Sequence, residues 1–210
     1  MPVLLAGCAT PLSSPRRALA TPYQPANVYC RQTRLPAAIQ RVALLPLPQS
    51  VVDADQAAGA EALESVLAGE LNKRNLFEIV PVSPDTLRAL TDRDSWSAEE
   101  RLPHDLFERL RQATGCDAVL FASLTSFQAY PPLRMGWKLR LVDCHENQTW
   151  WAVDEVFDAG SDSVAAAAEA YARTNLNQPT PLPGGSGVLY SPRRFGQYTA
   201  YAVVSTLPER

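Results

Sequence analysis

Histidine is nearly missing from this chain: His104 and His145 are the only two in 210 residues. Metal sites built on H-x3-H or C-x2-C spacings have no material here. An excess of positive charge is missing too. Nineteen Lys and Arg stand against 22 Asp and Glu, a net charge of -3. The pairs Arg16-Arg17 and Arg193-Arg194 are too small to form the basic stripe that grips a phosphate backbone. A nucleic-acid partner is therefore not expected. No window approaches the roughly 20 apolar residues of a membrane-spanning helix. Neither glycine-rich phosphate motif occurs, the P-loop or the dinucleotide G-x-G-x-x-G. "GGSGV", Gly184 to Val188, lacks the last glycine of a G-x-S-x-G nucleophile turn and reads as a flexible loop.

The remaining polar clusters have plain explanations. Asp143-Cys144-His145-Glu146 holds four metal-ligand types in a row, but adjacent residues rarely converge on one ion, and a hairpin turn accounts for them. Asp154, Glu155 and Asp158 lie on a strand whose polar positions face solvent. The sequence thus offers no catalytic residue, no metal ligand set and no cofactor motif, and the expected protein is not an enzyme.

What is present is ordinary globular composition: 46% hydrophobic and 20% charged residues. A chain of this size buries roughly 70% of its unfolded surface without needing staples. The unusual content is proline, 18 residues in all, bunched at the start, at Pro131-Pro132 and through 179–192. "LLAGCAT", Leu4 to Thr10, is a short apolar run ending in a cysteine. Leu5-Ala6-Gly7-Cys8 resembles the lipobox of bacterial lipoproteins: an aliphatic residue, two small ones that admit signal peptidase II, and the thiol that takes the lipid. At about 0.8 kcal/mol per buried CH2, several acyl chains make such an anchor effectively permanent. Only Met1 to Leu4 precede the box, so a basic and apolar leader is expected further upstream. Residues 1–7 then read as the remnant of a signal peptide. Residues 8–38, rich in Pro, Ser, Thr and Arg from Thr10 to Arg34, read as the lipidated Cys8 and a flexible tether.

The rest reads as one domain over 39–176. "RVALLPLP", Arg41 to Pro48, is a strand buried on both faces. Leu63, Val66, Leu67 and Leu71 mark an amphipathic helix within Asp53 to Arg74. "LFEIVPVS" is a second strand, and Ser83-Pro84 caps a short helix to about Leu90. Ser97 and Glu100 have capping-box spacing for a brief helix before Pro103. His104 to Thr114 is another helix, stopped by Gly115. "CDAVLFASLTSFQAY", "WKLRLVD" and "TWWAVDEVFDAG", joined by short turns, form an antiparallel meander. Asp162 caps an alanine-rich helix through Arg173. The order demands crossovers early and hairpins late. We therefore expect a three-layer α/β fold: a mixed sheet, with a parallel part and an antiparallel meander, flanked by helices. Cys30, Cys116 and Cys144 favour no disulfide pairing by spacing, and Cys116 and Cys144 read as small core residues.

Three stretches resemble a known neighbourhood of bacterial proteins. "RVALLPLP" resembles the opening strand of the curli-secretion lipoprotein family and of the amino-terminal domain of TolB. "ATGCDAVLFASLTSF" resembles their entry into the central strand, and "LRLVDCHENQTWWAVDEVF" their following hairpin. The outer-membrane lipoprotein activator of peptidoglycan synthase belongs to the same group. The match spans about residues 40 to 173. It implies an envelope lipoprotein that binds other proteins rather than catalysing a reaction.

The expectation is therefore a non-enzymatic outer-membrane lipoprotein, facing the periplasm, that serves as a protein-interaction or assembly module. Ala9, where an aspartate after the lipidated cysteine favours inner-membrane retention in enteric-type bacteria, directs it outward. The partner is an envelope protein whose identity the sequence does not carry, and the oligomeric state is likewise open. A curli-type secretion-channel subunit is the alternative. It needs membrane hairpins of about 9 to 11 alternating residues, and the hairpins here are claimed by the soluble sheet. A periplasmic hydrolase comes third. Candidate partner contacts are Trp150 and Trp151, which point to opposite sides of one strand so that one is core and the other an anchor. Arg193 and Arg194 are two more. They open a terminal helix within 177–210, whose stripe of Phe195, Tyr198, Ala202 and Val203 must dock on the sheet or on a partner. The helix dipole disfavours their charge by about 0.3–1 kcal/mol each, so Asp154, Asp158 or a partner's carboxylate is expected to face them.

Overall fold

The computed structural model describes residues 23–48, 54–176 and 187–210; Cys8 and the loop 177–186 lie outside them. The strands are β1 (Val28–Cys30), β2 (Arg41–Leu44), β3 (Glu78–Pro81), β4 (Ala118–Gln128), β5 (Arg134–Asp143) and β6 (Thr149–Asp158). The helices are α1 (Ala54–Arg74), α2 (Pro84–Thr91), α3 (Leu106–Thr114), α4 (Asp162–Asn175) and α5 (Pro192–Val204), with a tight helical turn at Gly187–Tyr190. One mixed sheet runs in the order β1-β6-β5-β4-β2-β3. β2 is parallel to both β3 and β4, and the pairs from β4 through β5 and β6 to β1 are antiparallel. The expected three-layer mixed α/β architecture is what the chain adopts.

Local chemistry sets the element ends. Ser83 Oγ accepts from Thr86 N at 3.1 Å and Pro84 follows it, so α2 starts with one orphan donor capped and another removed. Gly115, at φ 67°, takes the left-handed turn that ends α3. Alternation along the strands then separates two cores. Met135, Trp137, Leu139 and Leu141 of β5, with Trp151, Val153 and Phe157 of β6, meet α1, α4 and α5 in the larger one. Val119 and Phe121 of β4, with Ala43 of β2, meet Leu87 of α2, Leu106 and Leu110 of α3, and Trp96 in the smaller.

Several expectations change, among them the start of α4, where Asp162 is the first helical residue and Ser161 stands at the N-cap. The segment 8–38 is not tether throughout. From Tyr23 it lies on the domain: Tyr23 stacks edge-on against Phe157 at 5.5 Å, β1 extends the sheet beside β6, and Leu35 is buried. Ser97 and Glu100 open no helix. Ser97 Oγ accepts from Glu99 N at 3.3 Å, Glu100 pairs with Arg93 at 2.5 Å, and the stretch runs as turns that press Trp96 into the smaller core. Burial of Trp96 and the pull of Pro103 outweigh a local cap. α3 begins at Leu106 rather than at His104, because a turn comes first, with Leu106 N donating to the Pro103 carbonyl at 3.2 Å.

The terminal helix α5 docks on its own domain. Phe195, Tyr198 and Val203 enter the larger core, and Gly196 allows α5 to touch α1, since a Cβ there would overlap Leu63 Cδ2.

Candidate functional site

The two layers do not cover the sheet equally. On the larger core's side, α1, α4 and α5 span its width. On the other side, among the described residues, α2, α3 and the turns around Trp96 cover the β3-β2-β4 half and reach β5 at Lys138 and Arg140. The β5-β6-β1 half presents its second-face side chains outward: Lys138 and Arg140 from β5, Ala152, Asp154 and Val156 from β6, and Tyr29 from β1. Cross-strand pairing aligns them, Lys138 opposite Asp154, Arg140 opposite Ala152, and Tyr29 opposite Ala152 on the far side.

A groove of about 210 Å³ runs over this surface, lined by Asn27, Tyr29, Glu99, Lys138, Arg140 and Asp154 among others. Lys138 Nζ contacts Asp154 Oδ2 at 2.9 Å and also Glu99, so the turn before α3 is tied to the sheet. Those two carboxylates hold the ammonium above its ordinary range. It is thus a fixed cation at neutral pH and no proton acceptor. Arg140 donates to the Ala98 carbonyl at 3.1 Å. At the edge, Arg134 meets Asp158 at 2.7 Å and lowers its pKa, with Gly160 N adding a hydrogen bond. Amid these satisfied charges two large apolar side chains stand in solvent, Tyr29 at 51% and Val156 at 46% exposure. Ordered charge pairs around exposed apolar groups suit recognition of a surface.

The candidate contacts named from sequence are not brought together. Trp151 is fully enclosed, its Nε1 donating to Thr206 Oγ1 at 3.0 Å. Trp150 sits where the β5–β6 register shifts, is half-buried, and carries the Arg31 guanidinium 5.5 Å from its ring centre. Because of that irregularity both tryptophans pack against the larger core, instead of pointing to opposite sides. Arg193 and Arg194 are exposed in the first turn of α5, roughly 18 Å along the helix from the end that meets Trp151. Asp154 and Asp158 do not face them: Lys138 and Arg134 hold both carboxylates on the other face of the sheet. The Asp143–Glu146 stretch is a turn, with Asp143 Oδ1 accepting from His145 N at 2.6 Å and Glu146 N at 2.8 Å. Cys8 lies outside the described residues.

Sequence reading missed Tyr29, because a three-residue strand has no periodicity, and Val156, because alternation does not say which half of a face a helix covers. It also missed a groove of about 460 Å³ between α4, α5 and residues 23–25, walled by Tyr23, Tyr171, Tyr198 and Tyr201.

No family model matches the chain, and no curated protein matches it by sequence. Solved structures resemble it at low identity. The PelC dodecamer from Paraburkholderia phytofirmans has 12% identity and a TM-score of 0.49, over 87% of this chain and 98% of that one. Lipoprotein GNA1162 from Neisseria meningitidis has 18% identity and a TM-score of 0.43, over 67% of this chain and 99% of that one. TolB from Acinetobacter baumannii has 12% identity and a TM-score of 0.33, over 71% of this chain and 31% of that one.

Proposed function

We propose that this chain is an outer-membrane lipoprotein, anchored through Cys8 and facing the periplasm, that binds an envelope protein and catalyses no reaction of its own. The observation that carries the binding reading is the uncovered β5-β6-β1 half-face, where Tyr29 and Val156 stand exposed among paired charges. The anchor rests on Leu5-Ala6-Gly7-Cys8 and on Ala9 after it. The partner lays an apolar residue between Tyr29 and Val156 and meets the Lys138, Asp154 and Glu99 network at its rim. Arg193, Arg194 and the half-buried Trp150 are secondary contacts. Trp151 is structural.

Two measurements test the two halves of this reading. Cys8→Ala should move a folded protein from the membrane to the soluble fraction, and unchanged membrane association removes the anchor. For the partner, a photo-crosslinker at position 29 or 156 should trap one discrete envelope protein in cells. A crosslinker at Arg173, on the opposite layer, should not, and Val156→Asp should abolish the adduct formed from position 29. Equal trapping from both layers, or an adduct indifferent to Val156→Asp, rules out the half-face.

A further inference from the structure

Cys116 ends the turn after α3 and Cys144 begins the turn after β5, each just outside the regular β4–β5 ladder. Spacing alone gave no reason to pair them. The fold nevertheless places their sulfurs 3.7 Å apart, with both thiols free. The contact is held by backbone on both sides: Cys144 N donates to the Asp117 carbonyl at 2.9 Å, and Asp117 Oδ2 accepts from Gln40 N and Arg41 N at 2.9 Å each. The two cysteines therefore sit at a corner where β2, β4 and β5 are already tied together. Cys116 is buried and Cys144 is half-buried, so a reagent reaches the pair through Cys144. Cys30, exposed on β1, lies against the Thr206 carbonyl at the other core and has no sulfur partner among the described residues.

We propose that Cys116 and Cys144 are a disulfide-forming pair, a modification site that closes by exchange with an external disulfide. The change required is small: the sulfurs must approach from 3.7 Å to about 2 Å. The accessible Cys144 sulfur, as thiolate, attacks the external disulfide and expels one external thiolate, forming a mixed disulfide. Cys116 then loses its proton to solvent, attacks the Cys144 sulfur and expels the second external thiolate. Two protein thiols are oxidised, one external disulfide is reduced, and two external thiols are released. The contact favours a resting thiolate on Cys116 rather than on Cys144. The neighbouring thiol hydrogen-bonds to the Cys116 sulfur and draws its pKa down to about 7, while the same partner, burial and Asp143 hold Cys144 up. Transfer of the Cys144 proton to Cys116 across the 3.7 Å contact gives the accessible sulfur the thiolate it needs for the attack. Closure joins the start of β4 to the β5–β6 turn and fixes the corner that anchors the smaller core.

The test is the purified full chain, reduced and then equilibrated with oxidised glutathione, alkylated after unfolding, and mapped by mass spectrometry. The expected product is a crosslinked peptide joining Cys116 to Cys144, lighter by two hydrogens than the reduced pair, with a higher Tm than the reduced protein. Cys144→Ser should lose both the crosslink and the rise in Tm, while Cys30→Ser should keep both. Alkylation of Cys116 and Cys144 in full after equilibration, or a crosslink through Cys30 instead, overturns the proposal. The thiol state in cells reports separately on location: a pair that closes with glutathione but stays reduced in cells keeps the chemistry and refutes the periplasmic reading.

Discussion

Trp137, midway along β5, donates its indole N–H to Thr199 Oγ1 of α5 at 2.9 Å, and both side chains are wholly buried. Thr199 in turn donates to the Gly196 carbonyl at 3.1 Å. One of the sheet's largest buried side chains is thereby satisfied by α5. Trp151, on the neighbouring strand β6, repeats the arrangement with Thr206. Thr199→Val keeps the shape and strands the indole N–H, which should cost about 1–3 kcal/mol. Thermal melting should show a Tm lower by roughly 2–12 °C, and Thr199→Ser should recover most of it. Equal melting of the Val and Ser variants would show that the hydroxyl does not matter.

Removing the terminal segment should do more. Residues 190–210 carry Phe195, Tyr198, Val203 and Leu207 into the larger core, and Glu209 accepts from Leu35 N at 2.8 Å. Arg210 Nη2 donates to the Ile39 carbonyl at 2.5 Å. A chain ending at Leu189 should lose cooperative unfolding in calorimetry. An unchanged melt would instead make α5 an arm for a partner.

The close approach of α5 and α1 gives a smaller, sharper test. Gly196 faces Leu63, which is itself enclosed and has little room to turn aside. Gly196→Ala gains helix propensity but overpacks this crossing, and overpacked cores lose about 1–3 kcal/mol. A denaturant midpoint at or above the parent's would show that Leu63 yields.

The sequence made some of this legible and not the rest, for physical reasons. Leu63, Val66, Leu67 and Leu71 announced α1 because the buried stripe of a long helix repeats at 3.6 residues. Ser83-Pro84 and Gly115 announced ends because caps and left-handed turns are local chemistry. β1 was invisible because three residues carry no pattern; Val28–Cys30 is a strand only because β6 is beside it. Ser97 and Glu100 misled because the cap they offered competed with burial of Trp96. The open half-face could not be read either. Alternation put Lys138 and Arg140 on the polar side, but which half of that side α2 and α3 would cover depends on crossover geometry. The approach of Cys116 to Cys144 is a product of the same tertiary register.

Tyrosine gives the protein a predictable alkaline limit. Burial, and then the charge of nearby Tyr23, raises the pKa of Tyr198 above its ordinary value; burial and Glu70 do so for Tyr171, and burial and Glu155 for Tyr23. In the unfolded chain these phenols titrate near 10. The folded state therefore holds its protons more tightly, so their contribution is complete below that value. It is lost as pH rises beyond it, because the unfolded state ionises first. Stability from denaturant titrations should begin to fall near about pH 10 and keep falling as the pH rises further. Tyr198 makes the sharpest case, since its hydroxyl oxygen is buried with no hydrogen-bond partner among the described residues. Tyr198→Phe removes that buried polar group and should raise stability at neutral pH by about 1 kcal/mol. The same variant should soften the alkaline fall. A neutral-pH loss in Tyr198→Phe would mean that the hydroxyl is bonded after all and that the tyrosine-walled groove is filled.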